Sequence, residues 1–288
     1  RRMLLRIATA AVLIPIVVVI VWWAPPAVVA AIAALVAILA LLELFDLGDR
    51  VGLRGFKKWT YFCTALIFYA QYSAGFLIKH SFSEGISIVR DAAGGALSIE
   101  AALLIFIFGC VTLGLATRRP LHEVLPAIAI SSAAIFFVSL PFSYVVRLNE
   151  IEQMGRQLVI FTLVLVWAGD MLAYFVGKGL GRVPMAPALS PKKTWEGAVG
   201  NIVASMLVAV VFARWMQMEA TVPLIIAAIA NIAGQAGDLI ESAYKRGAAV
   251  KDSGALLPGH GGMLDRIDSL ILASPVVWIL YQWLAQPR

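Results

Sequence analysis

The residues best suited to chemistry are concentrated in one polar stretch near the C-terminal end of the chain, from Asp238 to Asp268. Carboxylates bind divalent metals, cations bind phosphate, and the glycines within residues 259–262 let backbone N–H groups approach an anion. The acids of the stretch are Asp238, Asp252, Asp265 and Asp268, the fixed cations are Lys245, Arg246, Lys251 and Arg266, and the histidine is His260. This combination predicts a site that holds both a metal ion and phosphate.

The spacing of these residues predicts that two helices bring three of the acids together. A polar stripe falls within an arc of roughly 80° on one helix face, at about 100° per residue. Its members are Asn231, Gln235, Asp238, Ser242 and Lys245. Asp265 and Asp268 are three residues apart, so they share a face of the following helix. We expect Asp238, Asp265 and Asp268 to meet, and oxygen ligands without cysteine favour Mg²⁺ over Zn²⁺.

Several of these residues also have a plainer interpretation. Asn231 and Gln235 could serve only as hydrogen-bonding contacts between membrane helices. Arg266 could reach toward the membrane surface or form a salt bridge. The turn with Gly261 and Gly262 could be an ordinary re-entrant turn, although beside Asp265 it could also form an anion-binding nest, with His260 donating to a phosphate.

A second polar loop, residues 178–197, could complete the same site. Its segment Ser190–Gly197 carries two lysines just before Thr194, which is placed to cap a helix. Cations at a helix N-terminus form an anion site suited to a nucleotide triphosphate, although the loop could be merely a basic cytoplasmic loop. The candidate binding residues are Ser190, Lys192, Lys193, Thr194 and Glu196. Asp170 could join the metal site, or it could pair with Lys178 or Arg182.

The rest of the chain has the composition of a polytopic membrane protein. Of its 288 residues, 61% are hydrophobic and 14% are charged, against roughly 25% charged residues in a soluble domain. We predict an all-α fold with about nine transmembrane helices. They are expected at residues 8–23, 27–45, 60–79, 97–116, 124–146, 157–177, 198–217, 221–241 and 269–285.

The distribution of basic residues predicts the orientation in the membrane. With the N-terminus in the cytoplasm, 17 of the 23 basic residues fall on the cytoplasmic side and six on the other. This asymmetry follows the positive-inside rule. It also explains the net charge of +6, so we expect a lipid bilayer and no nucleic acid as the partner. Both polar loops, 178–197 and 242–268, then face the cytoplasm.

Two regions follow from the distribution of polar residues along the chain. Residues 1–150 carry few charges within their spans and are predicted to be a scaffold. Residues 151–288 carry both polar loops and are predicted to be the catalytic region. Cys63 and Cys110 lie within apolar runs, so we interpret them as small buried residues rather than as a disulfide or metal ligands.

The polar stretch resembles the signature of a known family. The residues that carry the resemblance are Ser242-Ala-Tyr-Lys-Arg, Lys251-Asp252, and Pro258-Gly-His-Gly-Gly-Met-Leu-Asp265-Arg266-Ile-Asp268. They are similar to the signature of the phosphatidate cytidylyltransferases, also called CDP-diacylglycerol synthases. The SPKKTWEG loop and Gly169-Asp170 resemble other polar motifs of that family. The likeness extends over most of residues 157–288, whereas the first 150 residues are similar only in being hydrophobic spans.

The resemblance implies a reaction in which CTP and phosphatidic acid give CDP-diacylglycerol and pyrophosphate, with Mg²⁺ required. It also implies a bacterial inner-membrane protein and a homodimer. From the charge of the reacting phosphates we expect a second cation beside Mg²⁺, which could be monovalent. The family's acid positions fall on Asp238, Asp265 and Asp268. Lys192, Lys193, Lys245, Arg246 and Lys251 are expected to hold the phosphates. Ser190, Thr194 and Glu196 are expected to shape the nucleotide site, and Asp252, Gly261, Gly262 and Arg266 are expected to contribute to substrate binding.

Three other kinds of protein share some of these features. A secondary transporter would carry buried acids and amides, but usually near the bilayer midplane in paired repeats. A CTP-dependent polyprenol or dolichol kinase would share CTP, Mg²⁺ and a lipid acceptor. A structural membrane scaffold would have no reason to combine clustered acids with a glycine-rich turn.

Overall fold

A computed structural model describes residues 2–84, 97–256 and 261–285, and the side chains of residues 2–10 and 75–84 lie outside that description. Within this part of the chain there are nine long helical stretches. They are α1 Arg2–Trp23, α2 Pro26–Arg50, α3 Lys57–Glu84, α4 Ile99–Ala116, α5 Leu121–Asn149, α6 Gly155–Leu180, α7 Trp195–Trp215, α8 Thr221–Gly247 and α9 Leu264–Leu284. Each coincides with one predicted span, and the all-α membrane architecture is confirmed.

The helix ends differ from the predicted span boundaries by at most six residues. Hydropathy marks only the apolar part of a span, whereas helical hydrogen bonds continue into its polar ends. Among the described residues, seven helices are long and apolar enough to cross a membrane. These are α2 and α4 through α9, and Ala11–Trp23 of α1 forms a shorter apolar helix.

One short β-hairpin interrupts the helical pattern in the polar loop before α7. Strand β1, Pro184–Ala186, pairs antiparallel with strand β2, Ser190–Thr194. At the end of β2, the Thr194 hydroxyl accepts a hydrogen bond of 3.1 Å from the backbone N–H of Gly197. The predicted cap is therefore confirmed. The hairpin was not predicted, since three- and five-residue strands leave little periodicity to detect.

The described chain divides into two compact units. The first contains Arg1–Gly155 and Ser253–Leu264, and the second contains Arg156–Asp252 and Asp265–Arg288. These units are defined by packing and not by activity. The predicted division into a scaffold and a catalytic region at residue 150 therefore stays a prediction.

In the first unit, α3 packs against α2, α4 and α5. Cys63, Phe106 and Ile135 belong to a buried apolar cluster contributed by α3, α4 and α5. Cys63 and Cys110 are both buried and free, as predicted. Dispersion contacts and close packing, rather than covalent links, therefore hold these helices together.

Helix α5 contains a wide turn. A regular α-helix runs from Leu121 to Ala133, a π-helical segment follows over Ala134–Ser139, and α-helix resumes at Leu140–Asn149. Pro141 stands two residues after the end of the wide turn, and proline has no N–H with which to continue the regular hydrogen-bond ladder. The Ser139 hydroxyl lies 2.8 Å from the Thr64 hydroxyl of α3, within hydrogen-bonding distance.

In the second unit, α8 packs against α7 and approaches α9 closely. A Cβ atom on Gly237 would collide with the backbone carbonyl oxygen of Asp268. One turn earlier, a Cβ on Gly234 would meet the Ser269 carbonyl oxygen at 3.2 Å. Two glycines on one face of α8 therefore allow its backbone to lie against that of α9, as small residues do in membrane helix pairs.

Candidate active site

Three carboxylates from α8 and α9 converge where these helices touch. Asp238, Glu241 and Asp268 each offer an oxygen, and these oxygens all lie within 4.8 Å of one another. Asp238 directly follows Gly237, and Asp268 is the residue whose carbonyl lies against Gly237. The glycine contact is therefore what brings the carboxylates within reach of a common ligand.

Two lysines form ion pairs with carboxylates of this cluster. Lys193, on strand β2, forms an ion pair with Asp238. Lys245, one turn after Glu241 on α8, forms an ion pair with Glu241, and its Nζ also donates to Asp265 Oδ1 at 2.5 Å. The acid cluster thus stands beside two ammonium groups, which is the arrangement expected where a phosphate and a metal ion bind side by side.

A cavity of about 260 Å³ opens next to Asp238 in the second unit. Its polar lining comes from α6, β2, α7 and α8, and its apolar lining includes Tyr174 and Leu239. The polar residues are Asp170, Lys192, Lys193, Thr194, Asn201, Gln235 and Asp238. Cations, acids and amides around one concave space are typical of a small-molecule site.

A chain of side-chain amides connects α8 to Asp170. Gln235 Nε2 donates to Asn231 Oδ1 at 2.6 Å, and Asn231 Nδ2 donates to Asn201 Oδ1 at 2.5 Å. Asn201 Nδ2 then donates to Asp170 Oδ1 at 3.3 Å. A Cβ on Gly169 would collide with the Asn201 side chain. The glycine before Asp170 therefore leaves room for the amide that orients the carboxylate.

This network bears on the two interpretations of Asn231 and Gln235. Both residues make hydrogen bonds between α8 and α7, which is the helix-contact interpretation. The same hydrogen bonds continue to Asp170, which lines the cavity. The side chains that join α7 to α8 therefore also orient a carboxylate of the candidate site. In addition, Asn231 donates to the buried Ser205 hydroxyl at 2.6 Å, which anchors the network on α7.

The donor set of the acidic cluster fits a hard divalent cation. All three candidate ligands are carboxylates, and the described residues offer no cysteine or histidine to the cluster. Glu241 is completely buried, and within the described part of the chain neither of its oxygens has a donor in hydrogen-bonding geometry, although Lys245 lies close to one of them. The Lys245 ammonium offsets part of the cost of burying this carboxylate, and its unused lone pairs are available to a divalent cation.

The grouping of acids differs from the set predicted from the sequence. Asp238 and Asp268 do come together, but the third carboxylate near them is Glu241, while Asp265 binds Lys245. Asp170 lines the adjacent cavity instead of belonging to the three-carboxylate group. The reason is rotational: Asp265 and Asp268 lie about 60° apart around α9, which is enough to direct them at different neighbours on α8.

The predicted substrate-binding residues of the second unit fall into two groups. Lys192, Lys193 and Thr194 line the cavity. The others support the structure around it: Ser190 belongs to β2, and the Glu196 carboxylate accepts hydrogen bonds of 3.3 Å from the Val183 backbone N–H. Their contacts fix the hairpin that carries both lysines.

The remaining predicted residues lie around the end of α8 and the start of α9. Arg246 donates hydrogen bonds of 3.0 Å to the carbonyl oxygens of Leu189 and Val250, which joins α8 to the hairpin loop. Lys251, Asp252 and Arg266 have exposed side chains. Gly261 has φ +80°, a conformation that favours glycine, and Gly262 is buried. His260 lies outside the described residues.

Sequence reasoning missed two members of this site. Glu241 is three residues after Asp238 and four before Lys245, so the spacing rule applied to Asp265 and Asp268 would have found it. Its position at the edge of the polar stripe, rather than in its centre, obscured it. Asn201 lies in a mostly apolar helix. An amide within a membrane span is unusual, and this could have indicated that Asn201 has a polar partner such as Asn231.

Comparisons with known proteins identify the family to which this chain belongs. The model of the Cytidylyltransferase family matches residues 4–284. Phosphatidate cytidylyltransferase of Bacillus subtilis (strain 168) is 40% identical over 153 residues, which is 51% of this chain and 55% of that protein. The protein of the same name from Brucella abortus biovar 1 (strain 9-941) is 37% identical over 158 residues, 54% of this chain and 58% of that protein. This chain thus spans about half the length of the curated relatives it matches. Because the family model covers nearly the whole chain, the chain belongs to the cytidylyltransferase family.

Proposed function

We propose that this chain transfers the cytidylyl group of CTP to phosphatidic acid, forming CDP-diacylglycerol and releasing pyrophosphate. The observation that carries the proposal is the cavity lined by Lys192, Lys193 and Asp238, adjacent to the carboxylates of Glu241 and Asp268. The shared name of the relatives in Bacillus and Brucella, phosphatidate cytidylyltransferase, supports the choice of reaction.

In the proposed reaction an oxygen of the lipid phosphate attacks the α-phosphorus of CTP. A new phosphorus–oxygen bond forms as the bond to the β-phosphate oxygen breaks, and pyrophosphate leaves with the bonding electron pair. The attacking oxygen is already anionic, so no strong general base is needed. The chain therefore contributes positioning and charge neutralisation, which dominate phosphoryl and nucleotidyl transfer.

The lysines would bind the phosphates. Lys192 and Lys193 line the cavity, and Lys193 is held in place by Asp238. Lys245 is held between Glu241 and Asp265. An ammonium group already fixed by carboxylates loses little side-chain freedom when a phosphate binds, so these lysines can orient the triphosphate at low entropic cost.

Asp238, Glu241 and Asp268 would hold a Mg²⁺ ion. When bound, Mg²⁺ would neutralise negative charge on the reacting phosphates. Asp265 would act through Lys245, and Asp170, oriented by Asn201, would contribute a further carboxylate toward the cavity or a second cation.

The setting proposed for the reaction is the cytoplasmic face of a bacterial inner membrane. The apolar helices suit the lipid substrate, and the positive-inside distribution of charge supports an orientation with both polar loops on the side where CTP is available. A homodimer is proposed from the family resemblance.

The proposal is tested with purified full-length chain in detergent or vesicles that contain phosphatidic acid. We expect label from [α-³²P]CTP to enter lipid only when both phosphatidic acid and Mg²⁺ are present. Asp268→Asn should abolish the labelling while leaving the helical circular dichroism unchanged. Absence of α-label from lipid in the wild-type protein would refute the proposed function, and transfer of γ-label to a polyprenol would indicate the kinase instead.

A further inference from the structure

A buried acid of the first unit occupies a position that the proposed reaction does not explain. Glu43 lies on α2, seven residues before the end of that helix at Arg50, and is 8% exposed. A buried carboxylate on a membrane helix is costly unless donors surround it. Glu43 therefore needs a structural or functional reason for being there.

The donors that surround Glu43 come from the two sides of residues 257–260. The Ser253 hydroxyl donates to Oε2 at 2.7 Å. On the far side, the backbone N–H of Met263 donates to Oε1 at 2.8 Å, and that of Leu264 donates to Oε2 at 2.9 Å. One carboxylate thus ties together two stretches of chain that are separated in sequence by residues 257–260.

Two glycines leave room for this carboxylate. A Cβ on Gly254 would collide with the Glu43 carboxylate, and a Cβ on Gly262 would collide with the carboxylate and with the Ser253 hydroxyl. The backbone at Gly254 and at Gly262 therefore lies directly on Glu43. These two glycines allow close packing around an acid.

From these contacts we infer that Glu43 is a positioning residue, one that fixes the start of α9 and the described backbone at Ser253 and Met263. Leu264 is the first residue of α9, and its N–H is one of the unpaired donors at a helix N-terminus. Glu43 satisfies that donor from a distant part of the sequence, and a negative charge there also complements the helix dipole.

The effect on catalysis follows from chain connectivity and rests on the proposed function. Asp265 is the residue after Leu264, and Asp268 lies one turn further along the same helix. Anchoring the first turn of α9 therefore limits how far both acids can move. Partners that hold metal ligands in this indirect way typically change metal affinity or activity by 10- to 100-fold when removed.

The direct test is hydrogen exchange on the purified full-length chain. Glu43→Gln keeps the size of the side chain but has one acceptor oxygen, so at least one of the two backbone donors then faces an NH₂ group. We expect amide exchange in peptides covering residues 261–266 to be at least tenfold faster, equivalent to about 1.4 kcal/mol of local stability. The control is Thr64→Val, which removes a buried hydroxyl bonded to Thr60 O at 2.8 Å in the same unit but away from Glu43.

The kinetic test uses the same variants in the [α-³²P]CTP assay. We expect Glu43→Gln to raise the Mg²⁺ concentration needed for half-maximal labelling by about tenfold or more, whereas Thr64→Val leaves it within twofold of wild type. If Glu43→Gln does not yield folded protein, Ser253→Ala removes one donor to the same carboxylate and is measured instead.

The two measurements separate this inference from the proposed function. Wild-type protein that does not label lipid would refute the proposed function, and the exchange result alone would then decide the anchoring role. Unchanged exchange at residues 261–266 in Glu43→Gln would overturn the inference whatever the activity. Faster exchange with an unchanged Mg²⁺ requirement would overturn the proposed effect of Glu43 on the reaction. Glu43 would then anchor the start of α9 without affecting catalysis.

Discussion

The contact between Gly237 and Asp268 offers a sensitive test of how this site is assembled. In Gly237→Ala, the added methyl group would meet the Asp268 carbonyl oxygen well inside the 3.3–3.6 Å that a C–H···O contact requires. Backbone cannot move aside as a flexible side chain can, so α8 and α9 must separate by on the order of 1 Å.

That separation has two expected consequences. Overpacking a helix contact costs about 1–3 kcal/mol, so the midpoint of thermal unfolding in detergent should fall by a few degrees. The carboxylates of Asp238 and Asp268 would also move apart by a similar distance. A misplacement of about 1 Å can cost roughly 100-fold in rate, so lipid labelling from [α-³²P]CTP should fall by about that factor.

The matched control is Gly247→Ala at the end of the same helix. A Cβ on Gly247 has no neighbouring atom within 4 Å, so the substitution creates no collision. It should leave labelling unchanged and stabilise the helix slightly, by up to about 1 kcal/mol. If Gly237→Ala retained activity within twofold of wild type, with the same thermal midpoint as Gly247→Ala, the close helix contact would not be what assembles the site.

Three further predictions follow from the contacts of the site. Glu241→Gln should raise the Mg²⁺ concentration needed for half-maximal lipid labelling by at least about tenfold. The same titration of Asp265→Asn decides whether Glu241 or Asp265 is the third metal ligand. An unchanged Mg²⁺ requirement in Glu241→Gln would exclude Glu241 as that ligand. Lys193→Gln should raise the KM for CTP by about 10- to 100-fold, as expected for loss of a charge-assisted contact of about 1.5–3 kcal/mol, and an unchanged KM would exclude Lys193 from phosphate binding. Asn231→Leu should reduce the free energy of unfolding by about 1–3 kcal/mol, because the partner amides are left unpaired; chemical denaturation measures this, and wild-type stability would show that the network is not needed for packing.

The sequence predicted the helices well because each span is a long apolar run, and long runs are the strongest signal a sequence carries. It also predicted that Asp238 and Asp268 come together, since both follow from helical spacing and from the order of the spans. The Thr194 cap was predictable because capping depends only on neighbouring residues.

Contacts between distant residues could not be predicted in the same way. Glu43 is followed by Leu44 and Phe45 in an apolar helix, and nothing near it in the sequence indicates its partners at Ser253 and Leu264. The grouping of Glu241, rather than Asp265, with Asp238 and Asp268 depends on the rotation of α8 relative to α9. That rotation is set by the Gly237 contact, which only the folded backbone reveals.

The wide turn in α5 has a consequence for how the length of this segment can vary. A π-helical turn is equivalent to one extra residue inserted into a regular helix. Removing one residue from Ala134–Ser139 would close the wide turn to regular α-helix and keep the faces of the two flanking segments, whereas removing one residue from the regular part before it would rotate everything after the deletion by about 100°. In that second case Phe142, Ser143 and Val146, which are buried, would turn away from their neighbours. We therefore expect a single-residue deletion to be tolerated better within the wide turn than in Leu121–Ala133.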